Sequence, residues 1–129
     1  MPASSTDLFA TAATDHLGIF DDDGEPDAKK IAAILHYNRR DVSAAADLPI
    51  SKVRLEPNRI PRELAQRITE WGIALNTVAE HFKDPKRTIL WFGTPNPLLG
   101  NLAPRDMIRL GRSKKLFRFI QTSLSEHRP

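Results

Sequence analysis

After Pro61 the residues Leu64, Ile68, Trp71, Leu75, Val78 and Phe82 recur at steps of 4, 3, 4, 3 and 4. That spacing puts six large apolar side chains on one face of an α-helix, and a helix so built must bury that face. Pro61 suits its start, because a first helical turn does not need the N–H that proline lacks. At roughly 1.5–3 kcal/mol for each large apolar side chain buried, this one face can dominate the stability of the fold. The stripe spans only about three heptads, which favours a central core helix over a coiled-coil seam. A chain of 129 residues can close a single domain around it without a metal or a disulfide.

The rest of the chain reads as shorter helices separated by breakers. One is expected over residues 27–36, with Ile31, Ile34 and Leu35 on one side, and two more over residues 40–46 and 50–55, the second stopped by Pro57. Beyond Asp84-Pro85 a helix carries Ile89, Leu90, Trp91 and Phe92 until Gly93 and the Thr94-Pro95-Asn96-Pro97 breaker. Residues 104–110 and 112–125 complete the set, the last with Leu116, Phe117, Ile120 and Leu124 on one side. No stretch alternates like a strand. The class is all-α, organised as an acidic, flexible N-terminal extension (1–26), a helix-turn-helix-like unit (27–58), and a long helix followed by a C-terminal helical unit (61–129).

Several function classes lack their residues. Without cysteine there are no disulfides, thiolate metal sites or cysteine nucleophiles, a composition that suits a reducing cytoplasm. The acidic run Asp21-Asp22-Asp23-Gly24-Glu25-Pro26-Asp27 mimics a calcium loop, but with Gly24 as sixth residue the first and twelfth positions fall on Ile19 and Lys30, so it reads as a turn. His16, His36, His81 and His127 share no ligand spacing, the glycines are isolated, and there is no Gly-x-Ser-x-Gly elbow. No catalytic residue, metal or cofactor is therefore expected, and the chain reads as a binding protein rather than an enzyme. Its longest apolar run, Ile89 to Phe92, is far too short to span a bilayer, and the start MPASSTDLFA lacks the basic and apolar segments of a secretory signal, so no membrane partner is expected.

Charge is unevenly placed. Residues 1–30 hold seven acids against Lys29 and Lys30, while residues 104–129 hold seven bases against Asp106 and Glu126. Such asymmetry reads either as a solvated tail with an exposed basic face or as a surface for a binding partner.

Residues 41–54 have the small and apolar spacing of a helix-turn-helix. Val42 packs inward, Ser43 sits where two helices touch, Asp47 takes the turn, Leu48 plugs the core and Val53 anchors the second helix. DNA readout would then fall to Ser51, Lys52 and Arg54, with Arg39, Arg40, Arg59 and Arg62 as phosphate contacts and Glu56 opposing them.

From Ile89 the chain reads ILWFGTPNPLLGNLAPRDMIRLGRSKKLFRFI. The helix ending near Trp91, the Thr94-Pro95-Asn96-Pro97-Leu98-Leu99-Gly100 turn, the Ala103-Pro104 helix start with Asp106 and Ile108, Gly111-Arg112, and a last helix with Leu116 and Ile120 resemble the toxin-binding domain of the Xre/MbcA/ParS family of bacterial antitoxins. The likeness covers about residues 27–126, and its specific part runs from Trp91 to Ile120. It implies an antitoxin that binds a RES-domain, NAD-degrading toxin and blocks its active site, as a homodimer or a hetero-oligomer with the toxin. On this chain the resemblance puts the contact on Pro95, Asn96, Pro97, Leu98 and Gly100, on Arg112, Lys115 and Arg118, and on the tail over residues 125–129. It also implies a possible second role as a transcriptional regulator bound to operator DNA. There the chain departs from the family, since Pro49 and Pro57 confine the second helix. The turn itself is expected to return Leu98, Leu99 and Leu102 to the core.

Overall fold

The computed structural model describes residues 14–125. Its helices are α1 (Ala28–Ile34), α2 (Arg39–Ala46), α3 (Arg62–Phe82), α4 (Pro85–Gly93), α5 (Pro104–Arg109) and α6 (Ser113–Ile120). Single 3-10 turns cover Ile50–Lys52 and Pro97–Leu99, and a π-helical turn, Gln121–Ser125, continues α6. Among the described residues the only β pairing is two isolated bridges, Phe20 with Pro26 and Asn96 with Leu102, so the fold is all-α. No described helix is long and apolar enough to cross a membrane.

The periodic stretch is the axis of the molecule. Leu64, Ile68, Trp71, Leu75 and Val78 of α3 are buried and Phe82 is half-buried. Helices α1, α2, α4 and α6 all pack against α3, while α5 bridges α2, α4 and α6. The shorter helices are fixed at their starts by side chains. Asp27 accepts from the Lys30 amide, Asp84 from the Lys86 amide, and Asn38 with Asp41 forms a reciprocal capping box. Across the core Tyr37 meets Trp71 edge-on at 5.8 Å and donates its hydroxyl hydrogen to the Arg105 carbonyl oxygen. Burial around Tyr37 raises the ionisation of its phenol beyond the ordinary range, so the donor stays protonated.

Two expectations are corrected. The acidic stretch read as an extension through residue 26 is, from residue 14 onward, packed onto α3. Leu17 and Ile19 are buried, the Leu17 amide donates to Asn76 Oδ1 at 3.0 Å, and Asn76 Nδ2 donates to Asp15 Oδ1 at 3.0 Å. Asp15 in turn accepts from the Ile19 and Phe20 amides, both at 2.9 Å. Partial burial would raise the carboxyl of Asp15, but these donors outweigh it and hold it below the usual range. His16 lies 2.6 Å from Glu80, adding a contact further along α3. Residues 1–13 of that extension lie outside the described residues.

The second correction concerns the helix expected over residues 50–55. The core spacing holds: Val42, Ala46 and Val53 are buried, Leu48 is half-buried, and Asp47 caps α2 with a left-handed backbone, φ 57°. Yet only Ile50–Lys52 form a single 3-10 turn, and Val53 is already extended. An α-helix would need the Val53 carbonyl to receive an N–H from Pro57, which has none, and Pro57 also disfavours helical geometry at Glu56. The Arg39 guanidinium takes the place of the missing donors, reaching Ile50 O at 3.1 Å and Val53 O at 3.1 and 3.3 Å.

Candidate protein-binding face

The C-terminal half of the chain builds a surface in two parts. The first is the turn after α4. Thr94 ends that helix, its hydroxyl donating back to Leu90 O at 2.6 Å, and Pro95 and Pro97 bar helical continuation on either side of Asn96. Asn96 then organises the reversal from one position. Its side chain accepts from the Leu98 amide at 2.9 Å, its carbonyl accepts from the amides of Leu99 at 2.9 Å and Asn101 at 3.0 Å, and its own amide donates to Leu102 O at 3.1 Å. Gly100 and Asn101 both take positive φ, 71° and 65°, to turn the chain back toward α5.

The side chains on this braced turn divide sharply. Leu99 is 7% exposed and Leu102 packs against the core, as expected, but Leu98 is 77% exposed and does not return to the core. A short turn cannot aim two successive leucines the same way, and the hydrogen-bond pattern selects Leu99 for the interior. Pro95, Pro97 and Gly100 are exposed beside Leu98, and Asn96 is half-buried.

The second part is α6. Leu116, Phe117 and Ile120 are buried and Leu124 is half-buried, leaving Lys114, Lys115 and Arg118 exposed on the outer side with Arg112 at the N-cap. Arg112, Lys115 and Arg118 are spaced by three and form one stripe. No described carboxylate makes an ion pair with any of them. Two other bases of this region are occupied: Arg105 donates to Leu35 O at 3.1 Å, and Arg109 pairs with Asp106 at 3.1 Å. Among the described residues the basic excess of the C-terminus therefore falls on α6, on this stripe and Lys114.

One aromatic pair ties the two parts together. Trp91 of α4 stacks on Phe119 of α6, with ring centroids 6.5 Å apart and planes within 13°, and both rings are half-buried. The turn therefore leaves from a helix that is itself braced against the basic one. Leu90, 68% exposed, was missed as a surface residue. A signal existed, since four apolar residues in a row, Ile89 to Phe92, cannot all face inward from one helix; Phe92 wins the core and Leu90 is left outside. Beside it an open cleft of about 460 Å³ is lined by His36, Lys86, Ile89, Leu90, Gly93 and Arg105.

The residues proposed for DNA contact, Ser51, Lys52 and Arg54, are all exposed, but they sit on the 3-10 turn and the irregular segment after it rather than on an α-helix. Arg39 is committed to that turn's carbonyls. Among the described residues no group of histidine and carboxylate side chains is placed to hold a metal ion. The tail over residues 126–129 lies outside the described residues. Comparison with family models, curated proteins and solved structures finds no match to this chain.

Proposed function

We propose that this chain is the antitoxin of a toxin–antitoxin pair and silences a RES-type NAD-degrading enzyme by covering the entrance to its active site. The observation that carries the reading is Leu98, a large apolar side chain 77% exposed on a turn whose backbone is braced at every step. A rigid exposed leucine costs little entropy to bury against a partner, which is the property of an interface anchor. Leu90 on α4 is a second exposed apolar side chain, and the stripe of Arg112, Lys115 and Arg118, without an ion pair among the described residues, supplies charge to steer an acidic partner. The resemblance of residues 89–120 to antitoxin toxin-binding domains supports the choice of partner. Such a function needs slow dissociation, and a central apolar anchor with a charged rim is suited to it.

The test is co-expression with a RES-domain protein encoded beside this chain. Wild-type chain restores cellular NAD and growth, and Leu98→Asp does not. Full protection by Leu98→Asp, with the variant folded and equally abundant, refutes the reading.

A second reading, operator binding, is favoured by one observation: Arg40, Lys52, Arg54, Arg59 and Arg62, on either side of the 3-10 turn in sequence, are all exposed. Without a second helix to enter the major groove, that cluster is suited to phosphate contact and little base readout. A salt titration of promoter binding decides it. A steep salt slope with preference for the operator, lost in Lys52→Ala with Arg54→Ala, upholds regulation, and equal affinity for unrelated DNA rejects it.

A further inference from the structure

A second cleft, of about 440 Å³, opens on the N-terminal side of the molecule, between the packed segment before α1 and the loop before α3. Its walls are apolar. Phe20, Leu55 and Ile60 line it, and each is only half-buried, so ring and branched side chains are left facing the opening. Its rim is acidic: Asp21, Glu25 and Asp27 line the mouth with Lys29 as the single cation among the lining residues. The rim is held in place by local structure. Asp21 Oδ1 accepts from the amides of Asp23 and Glu25, both at 2.9 Å, Phe20 bridges to Pro26, and Asp27 caps α1. Glu25 makes no hydrogen bond or ion pair through its carboxylate among the described residues and is exposed.

An apolar cleft with a carboxylate rim fits side chains that are aliphatic along the stem and cationic at the tip. The chain carries such a set itself. Arg112, Lys115 and Arg118 project from one stripe of α6, without an ion pair among the described residues, next to half-buried Phe119 and exposed Leu110. We infer that α6 of one copy docks its basic stripe into this cleft on a second copy, so that the chain self-associates head to tail. The contact joins unlike surfaces, so an open assembly keeps one free cleft at one end and one free stripe at the other unless it closes. It also buries the stripe assigned above to toxin capture, so self-association and toxin binding compete. The docking itself does not depend on the toxin reading, because it is measured on the purified chain alone.

Sedimentation of the full chain gives the test. At about 100 μM protein and about 20 mM salt the average mass exceeds the 14.5 kDa of one chain, and at about 500 mM salt, where screening acts within a few ångströms, it returns to that value. Glu25→Lys and Arg118→Glu each alter an exposed side chain, and helical circular dichroism checks that both stay folded. Each variant alone associates at least about tenfold more weakly than wild type, because every copy has lost one half of the contact. Mixed in equal amounts they associate again, since the altered stripe of one meets the altered cleft of the other and their unaltered stripe and cleft make the native contact. A wild-type chain that stays monomeric at low salt overturns the proposal, as does association that survives either substitution, or a mixture no more associated than its components. Loss of toxin protection with this association intact would instead count against the antitoxin reading alone.

Discussion

Replacing Gly72 with alanine sets two physical effects against each other at the point where the N-terminal segment lies on α3. In an open helix interior the change stabilises by about 1 kcal/mol, because glycine has the greater backbone freedom to lose. At position 72 the added Cβ would stand 2.8 Å from Phe20 Cζ, 3.0 Å from Ile31 Cδ1 and 3.2 Å from Phe20 Cε2. Carbon atoms in contact prefer about 3.5–4.0 Å, so two neighbours on different elements must both withdraw. Ile31 is fully buried, and Phe20 is tethered by its own amide to Asp15 and by its bridge to Pro26, so neither moves freely. Overpacking of this kind costs about 1–3 kcal/mol, and with three contacts to two residues below the normal range the upper half of that span applies. The net expectation is destabilisation by about 1–2 kcal/mol, a fall in Tm of about 4–8 °C for a domain of this size. Thermal melting by circular dichroism and urea unfolding measure it. Gly93→Ala is the control: that glycine ends α4 with nothing within 4 Å of its would-be Cβ, so the same substitution there leaves stability unchanged or slightly raised. Phe20→Leu should relieve the clash, making the double variant less unstable than the two single losses added together. If Gly72→Ala raises Tm as an open-helix site would, the segment around Phe20 does not lie against α3 as described.

Other outcomes follow from named contacts. On the proposed function, Leu98→Asp weakens binding to the RES-domain partner by about 100-fold, measured by the dissociation rate of the purified pair, while leaving Tm within about 1 °C because the side chain supports nothing in the fold. Tyr37→Phe removes the hydroxyl's hydrogen bond to the Arg105 carbonyl and lowers stability by about 1 kcal/mol in urea unfolding. Arg39→Met removes the donors to Ile50 and Val53 and costs about 1–2 kcal/mol by the same measurement, with amide exchange rising over residues 50–54. Asp15 is depressed in the fold, so its stabilisation is present above the ordinary carboxylate value of 3.8 and fades as pH falls through its lower folded value. The Tm gap between wild type and Asp15→Ala is therefore full at neutral pH and narrows in acid.

What could be read from the sequence depended on how local its cause was. The α3 stripe was legible because one face of one helix decides it. The packing of Leu17 and Ile19 onto α3 was not legible, because its key polar partner, Asn76, is 59 residues from Leu17 and no short pattern announces the pair. Residues 50–55 misled because their apolar spacing is that of a helix-turn-helix while their backbone donors are not. Counting the missing N–H of Pro57 would have shortened the element in advance. At the candidate face the basic stripe was readable from the period of α6. The outward aim of Leu98 was not, since Leu98 and Leu99 are chemically identical and only the hydrogen bonds to Asn96 tell them apart.

The chain has two tryptophans, and the fold puts them in opposite environments. Trp71 is 2% exposed at the centre of the molecule, and Trp91 lies half-open against Phe119 between the turn and the cationic helix. Ultraviolet excitation will thus yield a red-shifted, quencher-accessible emitter at the surface and a shielded one that holds constant until the whole domain melts. Occupancy of that surface can be followed by intrinsic light alone, without a dye or a label.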